Sequence, residues 1–246
     1  MNLCADLHTH TIASGHAYGT IREMAFAAGE KKLELLGISE HAQGIPGTVG
    51  SYYYWNLNKV PREMYGVKLL LGSEINVLND GALSMPQEDI DRIDYALVGI
   101  HDLCYEDQGR ERNTDNLIEC MKHEKISFVS HPDDDNIPVE YERLVRAAKE
   151  YHVALEVNNS SLLKPEHRLN CFENYRTMLR LCNEYETPVI ISSDAHDPSW
   201  VGVFDKAVEL IEEEGFDEDL ILNTSVEKVL EFLNFREGGG IKCSGK

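Results

Sequence analysis

The sequence is poor in the features that build disulfide-linked or sulfur-ligated proteins. Its six cysteines are scattered, and no two form a C-x-x-C pair. This spacing argues against a disulfide framework and a cysteine-rich structural zinc site, and predicts buried or free thiols in a reducing compartment.

The chain has no apolar run near the roughly 20 residues that span a bilayer. Its N-terminus has no basic segment followed by an apolar one. A cytoplasmic protein without a membrane segment is therefore expected.

Positive charge is also scarce. The 246 residues include 23 Lys and Arg against 43 Asp and Glu, which gives a formal net charge of −20. An acidic surface repels a phosphate backbone, and nucleic-acid-binding proteins usually carry a basic stripe. Because bound metal ions can reverse the potential inside a pocket, the charge alone does not exclude nucleic acid. It favours a small-molecule substrate.

Linkers and internal repeats are missing too. No Pro/Gly/Ser-rich linker precedes Gly238-Gly239-Gly240, which predicts one domain over residues 1–237 and a flexible tail over 238–246. Short apolar runs rich in Val, Ile and Leu are typical of buried parallel strands. They predict seven strands, at 3–7, 33–39, 67–73, 95–100, 126–130, 154–158 and 189–193.

Helical patterns separate most of these strands. Helices are predicted at 20–32, 113–123, 138–151, 172–185 and 224–235, and the first and last open with a T-x-x-E capping box. The aromatic segment 44–59 is predicted to be a long loop at the mouth of the fold, and 76–83 a hairpin. Alternating strands and helices predict an α/β fold, namely a (β/α) barrel or a distorted relative of one. An open doubly wound sheet is the alternative, although no G-x-G-x-x-G follows the first strand.

Metal-binding residue types follow these strands at almost every strand end. Parallel strands of a barrel bring their C-terminal ends to one face, where barrel enzymes place their active sites. Any one of these residues could be an ordinary loop or cap residue, but seven of the ten histidines fall just after a strand. The set predicts one metal-binding bowl formed by His8, His10, His16, His41, Glu74, His101, His131, Asp194 and His196.

The residue types in this bowl indicate hydrolytic chemistry. Imidazole and carboxylate ligands without cysteine suit zinc, manganese or iron. A catalytic zinc usually has three protein ligands and an open position, so nine ligands suit two or three ions with bridging carboxylates. Clustered open metal ions generate hydroxide at neutral pH and stabilise the charge of a phosphoryl transition state.

Together these motifs resemble the PHP (polymerase and histidinol phosphatase) superfamily, and its YcdX-like phosphatase branch in particular. The resemblance runs from Asp6 to about Phe235 and includes D-x-H-x-H at 6–10, S-H-P at 130–132 and S-D-A-H at 193–196. It implies a distorted (β/α)7 TIM-like barrel with a trinuclear metal centre at the C-terminal ends of the strands. By this resemblance, one ion would bind His8, His10, Glu74 and Asp194. A second ion would bind His16, His41 and His196. A third ion would bind His101, His131 and Glu74, so that Glu74 bridges two ions. Glu40 stands where many relatives have Asp.

The resemblance favours a phosphatase that hydrolyses a small phosphate monoester through a hydroxide bound to three divalent ions, with zinc expected first and manganese or iron as alternatives. Four cations on loops are candidates for holding phosphate: Arg110, Arg112, Lys164 and Arg168. The alternatives are a nuclease or phosphodiesterase of the PHP type, an amidohydrolase, and a metal-binding protein without catalysis. The sequence assigns no general acid, and it is compatible with an oligomer without showing an interface.

Overall fold

The computed structural model describes residues 1–236, so the tail predicted at 238–246 lies outside the described residues. Seven parallel strands pair in chain order to form a barrel wall, which confirms the predicted distorted (β/α)7 barrel. They are β1 (Ala5–Asp6), β2 (Leu35–His41), β4 (Val67–Asn76), β5 (Ala96–Gly99), β6 (Ile126–Val129), β7 (Ala154–Asn158) and β8 (Val189–Ser192), while β3 (Glu63–Met64) pairs antiparallel with β4.

Helices cover the outside of this wall. They are α1 (Ile21–Glu30), α2 (Ser51–Trp55), α3 (Gln87–Ile90), α4 (Arg110–Met121), α5 (Tyr141–Glu150), α6 (Asn159–Leu163), α7 (Cys171–Tyr185), α8 (Asp205–Glu213) and α9 (Val226–Arg236). The capping box at Thr20 is present and opens α1. Within residues 1–236, none of the helices is long and apolar enough to cross a membrane.

The structure corrects three local predictions. Helix α4 begins at Arg110 rather than at a cap formed by Asn113, because the Asn113 side chain instead accepts from the Tyr105 hydroxyl (3.1 Å). Segment 44–59 contains helix α2 rather than only loop, since Trp55 anchors it to buried Asp89. The last helix begins at Val226, with Ser225 rather than Thr224 as its cap. The predicted hairpin is present, with an antiparallel bridge at 77 and 83.

Apolar side chains fill both sides of the barrel wall. Strands β2, β5, β6, β7 and β8 are buried along their whole length, as expected for parallel strands covered by helices. Inside the barrel, the Tyr95 hydroxyl donates to the carbonyl of Leu7 (2.7 Å). This ring fits because Gly37 faces it, where any Cβ would overlap the hydroxyl. Helix α9 closes the lower end of the barrel, where Phe232 stacks on Phe128.

The barrel closes through a side chain rather than through a complete strand ladder. Among the described residues, the β-bridge between the first and the last strand segments is a single one, which joins Thr9 and Ala195 just past the ends of β1 and β8. Asn223 fills the seam below: its Nδ2 donates to the carbonyls of Ala5 (2.9 Å) and Ile191 (2.8 Å). Its Oδ1 accepts from the Ile191 amide (3.2 Å). One buried amide therefore satisfies backbone groups that a neighbouring strand would otherwise satisfy.

Asp6 secures the same seam nearer the C-terminal strand ends. Its carboxylate accepts from the amide and hydroxyl of Ser193 and from the amide of Gly202. Burial raises the pKa of Asp6 to about 6, and these donors counter the rise. The first residue of D-x-H-x-H thus ties β1 to the segment that follows β8.

The seam predicts a large stability effect at Asn223. Asn223→Ala leaves three buried backbone groups at Ala5 and Ile191 without partners, at about 1–3 kcal/mol for each unsatisfied group. We expect the free energy of unfolding, measured by urea denaturation, to fall by at least about 3 kcal/mol. Asn56→Ala removes an exposed amide that bonds only the Tyr52 carbonyl, so it should change the unfolding free energy little. A similar small change at Asn223 would contradict its role in closing the barrel.

Candidate metal centre

Nine side chains from the strand ends meet in one bowl at the C-terminal face of the barrel. All nine predicted candidates are there. Glu74, fully buried in β4, lies at the centre of the group. The others come from the end of β2 and from the segments after β1, β5, β6 and β8: His41, His8, His10, His16, His101, His131, Asp194 and His196.

The two carboxylate oxygens of Glu74 face different histidines. Oε2 lies 3.0 Å from His41 Nδ1, 3.3 Å from His8 Nε2 and 3.6 Å from His10 Nε2. Oε1 lies 2.8 Å from His131 Nε2 and 3.4 Å from His101 Nε2. A carboxylate placed between two groups of nitrogen ligands has the geometry of a bridging ligand.

Asp194 approaches the same centre from the opposite wall. Its Oδ1 lies 3.3 Å from His10 Nε2 and 3.5 Å from His8 Nε2. Asp194 and His131 both have positive φ, at 54° and 30°, a conformation that residues other than glycine rarely adopt. Such backbone outliers cluster at functional sites. Here they occur just after β8 and β6, at residues whose side chains enter the bowl.

His16 and His196 form the outer side of the bowl. Their Nε2 atoms are 3.1 Å apart, and the His16 ring stacks on His41 at 5.0 Å. His196 also groups with His10 and His41, whose ligand atoms lie within 4.8 Å of one another. His10 therefore contacts both the Asp194 side and the His196 side of the bowl, which the sequence did not indicate.

The chemistry of the bowl fits metal ions. Four buried atoms that face one another have no hydrogen-bond partner: His8 Nε2, His10 Nε2, His41 Nδ1 and Glu74 Oε2. Buried polar atoms are nearly always paired, so such a group indicates a ligand that the protein atoms do not supply. Burial opposes ionisation of Glu74, but His8 and His101 outweigh it and hold the pKa of Glu74 well below its ordinary value. These residues form a candidate metal site.

A layer of polar residues behind the histidines fixes their orientation. His8 Nδ1 lies 2.7 Å from Glu156 Oε1, and His101 Nδ1 lies 2.7 Å from Asn76 Oδ1. Since these oxygens accept, each ring donates from Nδ1, so that Nε2 is the nitrogen left to bind a metal ion in the bowl. The Ser130 hydroxyl donates to Glu74 Oε1 (2.7 Å). This layer was not predicted from the sequence, although Glu156, an acid within the apolar run 154–157, was the available signal.

Neighbouring histidines are driven toward opposite protonation states. Burial disfavours the charged form of His8, but Glu156, Glu74 and Asp194 outweigh it and hold the pKa of His8 well above its ordinary value. Burial, reinforced by His41, holds the pKa of His10 well below its ordinary value. A neutral ring is the form that binds a metal ion.

Only one of the predicted phosphate-binding cations contacts the bowl in the described structure. Arg168 Nη1 lies 3.4 Å from His131 Nδ1 and 3.6 Å from Asp133. The other three point elsewhere or into solvent. Arg110 donates to the Val139 carbonyl, Lys164 bonds the Ser160 hydroxyl (3.2 Å), and Arg112 is exposed on α4.

A cavity of about 450 Å³ opens beside His101 and His131. Its lining combines apolar side chains, among them Ile100, Leu117 and Val139, with three aspartates: Asp102, Asp107 and Asp134. Arg168 lies at its edge, so the cavity joins a cationic group to the histidine side of the bowl. This is the arrangement of an enzyme pocket, concave and partly apolar with a few convergent polar groups.

The histidine-rich bowl at the C-terminal face of the barrel has the donor set of a metal-dependent barrel enzyme. The chain belongs to the PHP family, because the PHP domain matches residues 6–232. It is 37% identical over 234 residues to a probable phosphatase from Acetivibrio thermocellus, covering 95% of this chain and 96% of that protein. A probable phosphatase from Caldanaerobacter subterraneus is 37% identical over 245 residues, covering 98% and 96%. The predicted class, a phosphoric ester hydrolase, is confirmed by these relatives.

Solved structures share the fold at low sequence identity. Histidinol phosphate phosphatase from Lactococcus lactis, complexed with zinc, L-histidinol and phosphate, has a TM-score of 0.61 at 18% identity, covering 87% of this chain and 94% of that one. A chain of archaeal ribonuclease P, determined with mature tRNA, has a TM-score of 0.63 at 15% identity and covers 98% of each chain. These likenesses concern the barrel alone.

Glu156 offers a test of the layer behind the ligands. Its Oε2 accepts from the His131 amide (2.7 Å) and from Asn158 Nδ2 (3.1 Å). In Glu156→Gln the amide oxygen must stay there, so the new NH₂ group faces His8 Nδ1 and forces the proton onto Nε2. We expect zinc affinity, measured by competition with a chelator, to fall about 10–100-fold.

Glu124→Gln is the matched control, because Glu124 is exposed on the surface. It should bind zinc as the unmodified protein does. Wild-type zinc affinity in Glu156→Gln would show that Glu156 does not set the His8 tautomer.

Proposed function

We propose that this protein is a metal-dependent phosphatase that hydrolyses a small phosphate monoester at a centre of three divalent metal ions. Zinc is the proposed metal, with manganese and iron as alternatives that the same donors accept. The partner is a small phosphorylated molecule rather than nucleic acid. The relatives named probable phosphatases support the reaction class.

The placement of Glu74 carries the proposal. Its Oε2 faces His8, His10 and His41, while its Oε1 faces His101 and His131. A carboxylate that divides its oxygens in this way supports more than one metal position. Divalent ions held there would supply Lewis acidity, which stabilises charge on phosphoryl oxygens and lowers the pKa of water.

Arg168 and the adjoining cavity support a phosphate ester as substrate. The guanidinium is held beside the bowl by buried Asp133 and can donate to phosphoryl oxygens in the fork geometry that arginine offers. The leaving alcohol would occupy the cavity of about 450 Å³ beside His101. A volume of this size suits a small organic group.

The alternative substrate is a phosphodiester. The net charge of −20 gives little attraction for a polyanion. The test compares p-nitrophenyl phosphate, its bis-ester, a single-stranded oligonucleotide and a hydantoin, each with zinc or manganese and each with chelator. Faster cleavage of the bis-ester or the oligonucleotide would favour the nuclease, and cleavage of the hydantoin the amidohydrolase.

Glu74 should be required for both metal binding and hydrolysis. Glu74→Ala removes the carboxylate shared by both groups of histidines, so bound zinc should fall and p-nitrophenyl phosphate hydrolysis should drop by at least about 100-fold. Metal content by elemental analysis and the initial rate give the two readouts. Glu150→Ala, at an exposed position of α5, serves as the control. Full activity of Glu74→Ala with fewer than two bound ions would contradict the bridging role of Glu74.

Arg168 should act on substrate binding. Arg168→Ala removes the guanidinium beside His131, and we expect kcat/KM for p-nitrophenyl phosphate to fall about 10–100-fold, because one charge-assisted contact contributes about 1.5–3 kcal/mol. Zinc content should be unchanged. Arg180→Ala, an exposed arginine of α7, should leave kcat/KM as it is. An unaltered kcat/KM in Arg168→Ala would remove Arg168 from the substrate site.

A further inference from the structure

A second buried carboxylate lies behind the bowl, on the side of His10. Glu40 is 0% exposed and lies in β2, one residue before His41. Its side chain does not enter the bowl. Oε2 accepts from the Ser14 hydroxyl (2.5 Å) and from the Thr11 amide (3.1 Å). Oε1 accepts from the hydroxyls of Thr11 (2.5 Å) and Tyr53 (3.2 Å).

Ser14 connects this carboxylate to His10. Its oxygen lies 3.1 Å from His10 Nδ1 and accepts from the His41 amide (3.0 Å). A hydroxyl has one proton and two acceptor positions, and an ionised carboxylate can only accept. The Ser14 proton therefore goes to Glu40, and both lone pairs of Ser14 are left for N–H donors. His10 must then donate from Nδ1, which leaves the Nε2 lone pair facing Glu74 and Asp194.

The geometry assigns to Glu40 the role of a positioning residue that, through Ser14, holds His10 in the tautomer able to bind metal at Nε2. The inference rests on the proposed metal centre. His8 and His101 each have a direct acceptor at Nδ1, whereas His10 has a hydroxyl, which could donate as well as accept. A serine hydroxyl can select one histidine tautomer only if another group accepts the hydroxyl proton. For Ser14, that group is Glu40.

Helix α2 reaches the same carboxylate from the mouth of the barrel. Tyr53 donates to Oε1, and Trp55 and Ser51 of the same helix donate to buried Asp89. The Tyr53 contact is on the oxygen that does not accept from Ser14. Loss of the Tyr53 hydroxyl should therefore leave the contact between Ser14 and Glu40 in place, which makes Tyr53 a matched control.

The test compares Glu40→Gln with Glu40→Leu in the full-length protein, zinc-loaded and after chelation. In Glu40→Gln the amide oxygen must face the Thr11 amide, where it also accepts from Ser14, so the His10 tautomer should persist. In Glu40→Leu the Ser14 hydroxyl has no acceptor and can donate to His10 Nδ1, which shifts the proton to Nε2. Ser14→Ala removes the hydroxyl that links Glu40 to His10, with a smaller change of volume. It tests the control of the His10 tautomer if Glu40→Leu does not fold.

Nitrogen-15 NMR of the histidine rings reports the tautomer directly, with the His10 signals assigned by their loss in His10→Asn. Zinc affinity by chelator competition should fall about 10–100-fold in Glu40→Leu and Ser14→Ala, and less than about threefold in Glu40→Gln and Tyr53→Phe. A role in stability alone would lower the melting temperature without moving the tautomer.

Two results would overturn the assignment. One is an unmodified protein whose His10 carries its proton on Nε2, and the other is a Ser14→Ala protein that keeps both the wild-type tautomer and zinc affinity. Neither depends on phosphate ester hydrolysis. An unmodified protein that binds zinc but hydrolyses no phosphate ester would instead count against the proposed function and leave this inference intact.

Discussion

The buried carboxylate of Glu74 is the constraint on which the rest of the site depends. A fully buried charge is costly unless it is paired or binds a metal ion, and five histidines converge on this one. Four facing atoms still have no hydrogen-bond partner within the described structure. This cluster of donors therefore requires cations. The barrel brings the donors together because the C-terminal ends of its strands converge on one face.

The orientation of the histidine rings is set by the polar residues that lie behind them. A histidine can bind a metal ion through either nitrogen, and the partner of the other nitrogen decides which one is free. Glu156 and Asn76 do this by accepting directly, while Ser14 does so because Glu40 fixes its proton. The ligand set and its supporting layer thus form one buried polar network, in which each group limits the proton positions of the next.

The sequence predicted the barrel, and it also predicted nine candidate residues that the structure brings together, because both depend on local patterns. Apolar runs mark buried strands, and a histidine or acid just past a run falls on the active face. Contacts across the barrel have no such pattern. Nothing near Glu156 or Asn223 in the sequence indicates His8 or Ile191 as partners. The positions of the loop cations could not be read from local patterns either. Of the four, Arg168 alone contacts the bowl in the described residues, where it lies beside Asp133, a residue distant in the chain.

The seam between β1 and β8, which side chains close, lies beneath the bowl. His8 and His10 follow the first strand and Asp194 follows the last, so an ion shared by them would span the gap that Asn223 and Asp6 close from below. Such an ion would act as a crosslink between the first and the last strand of the barrel. Its binding free energy would then add to the free energy of unfolding, so the metal-bound barrel would be more stable than the metal-free one.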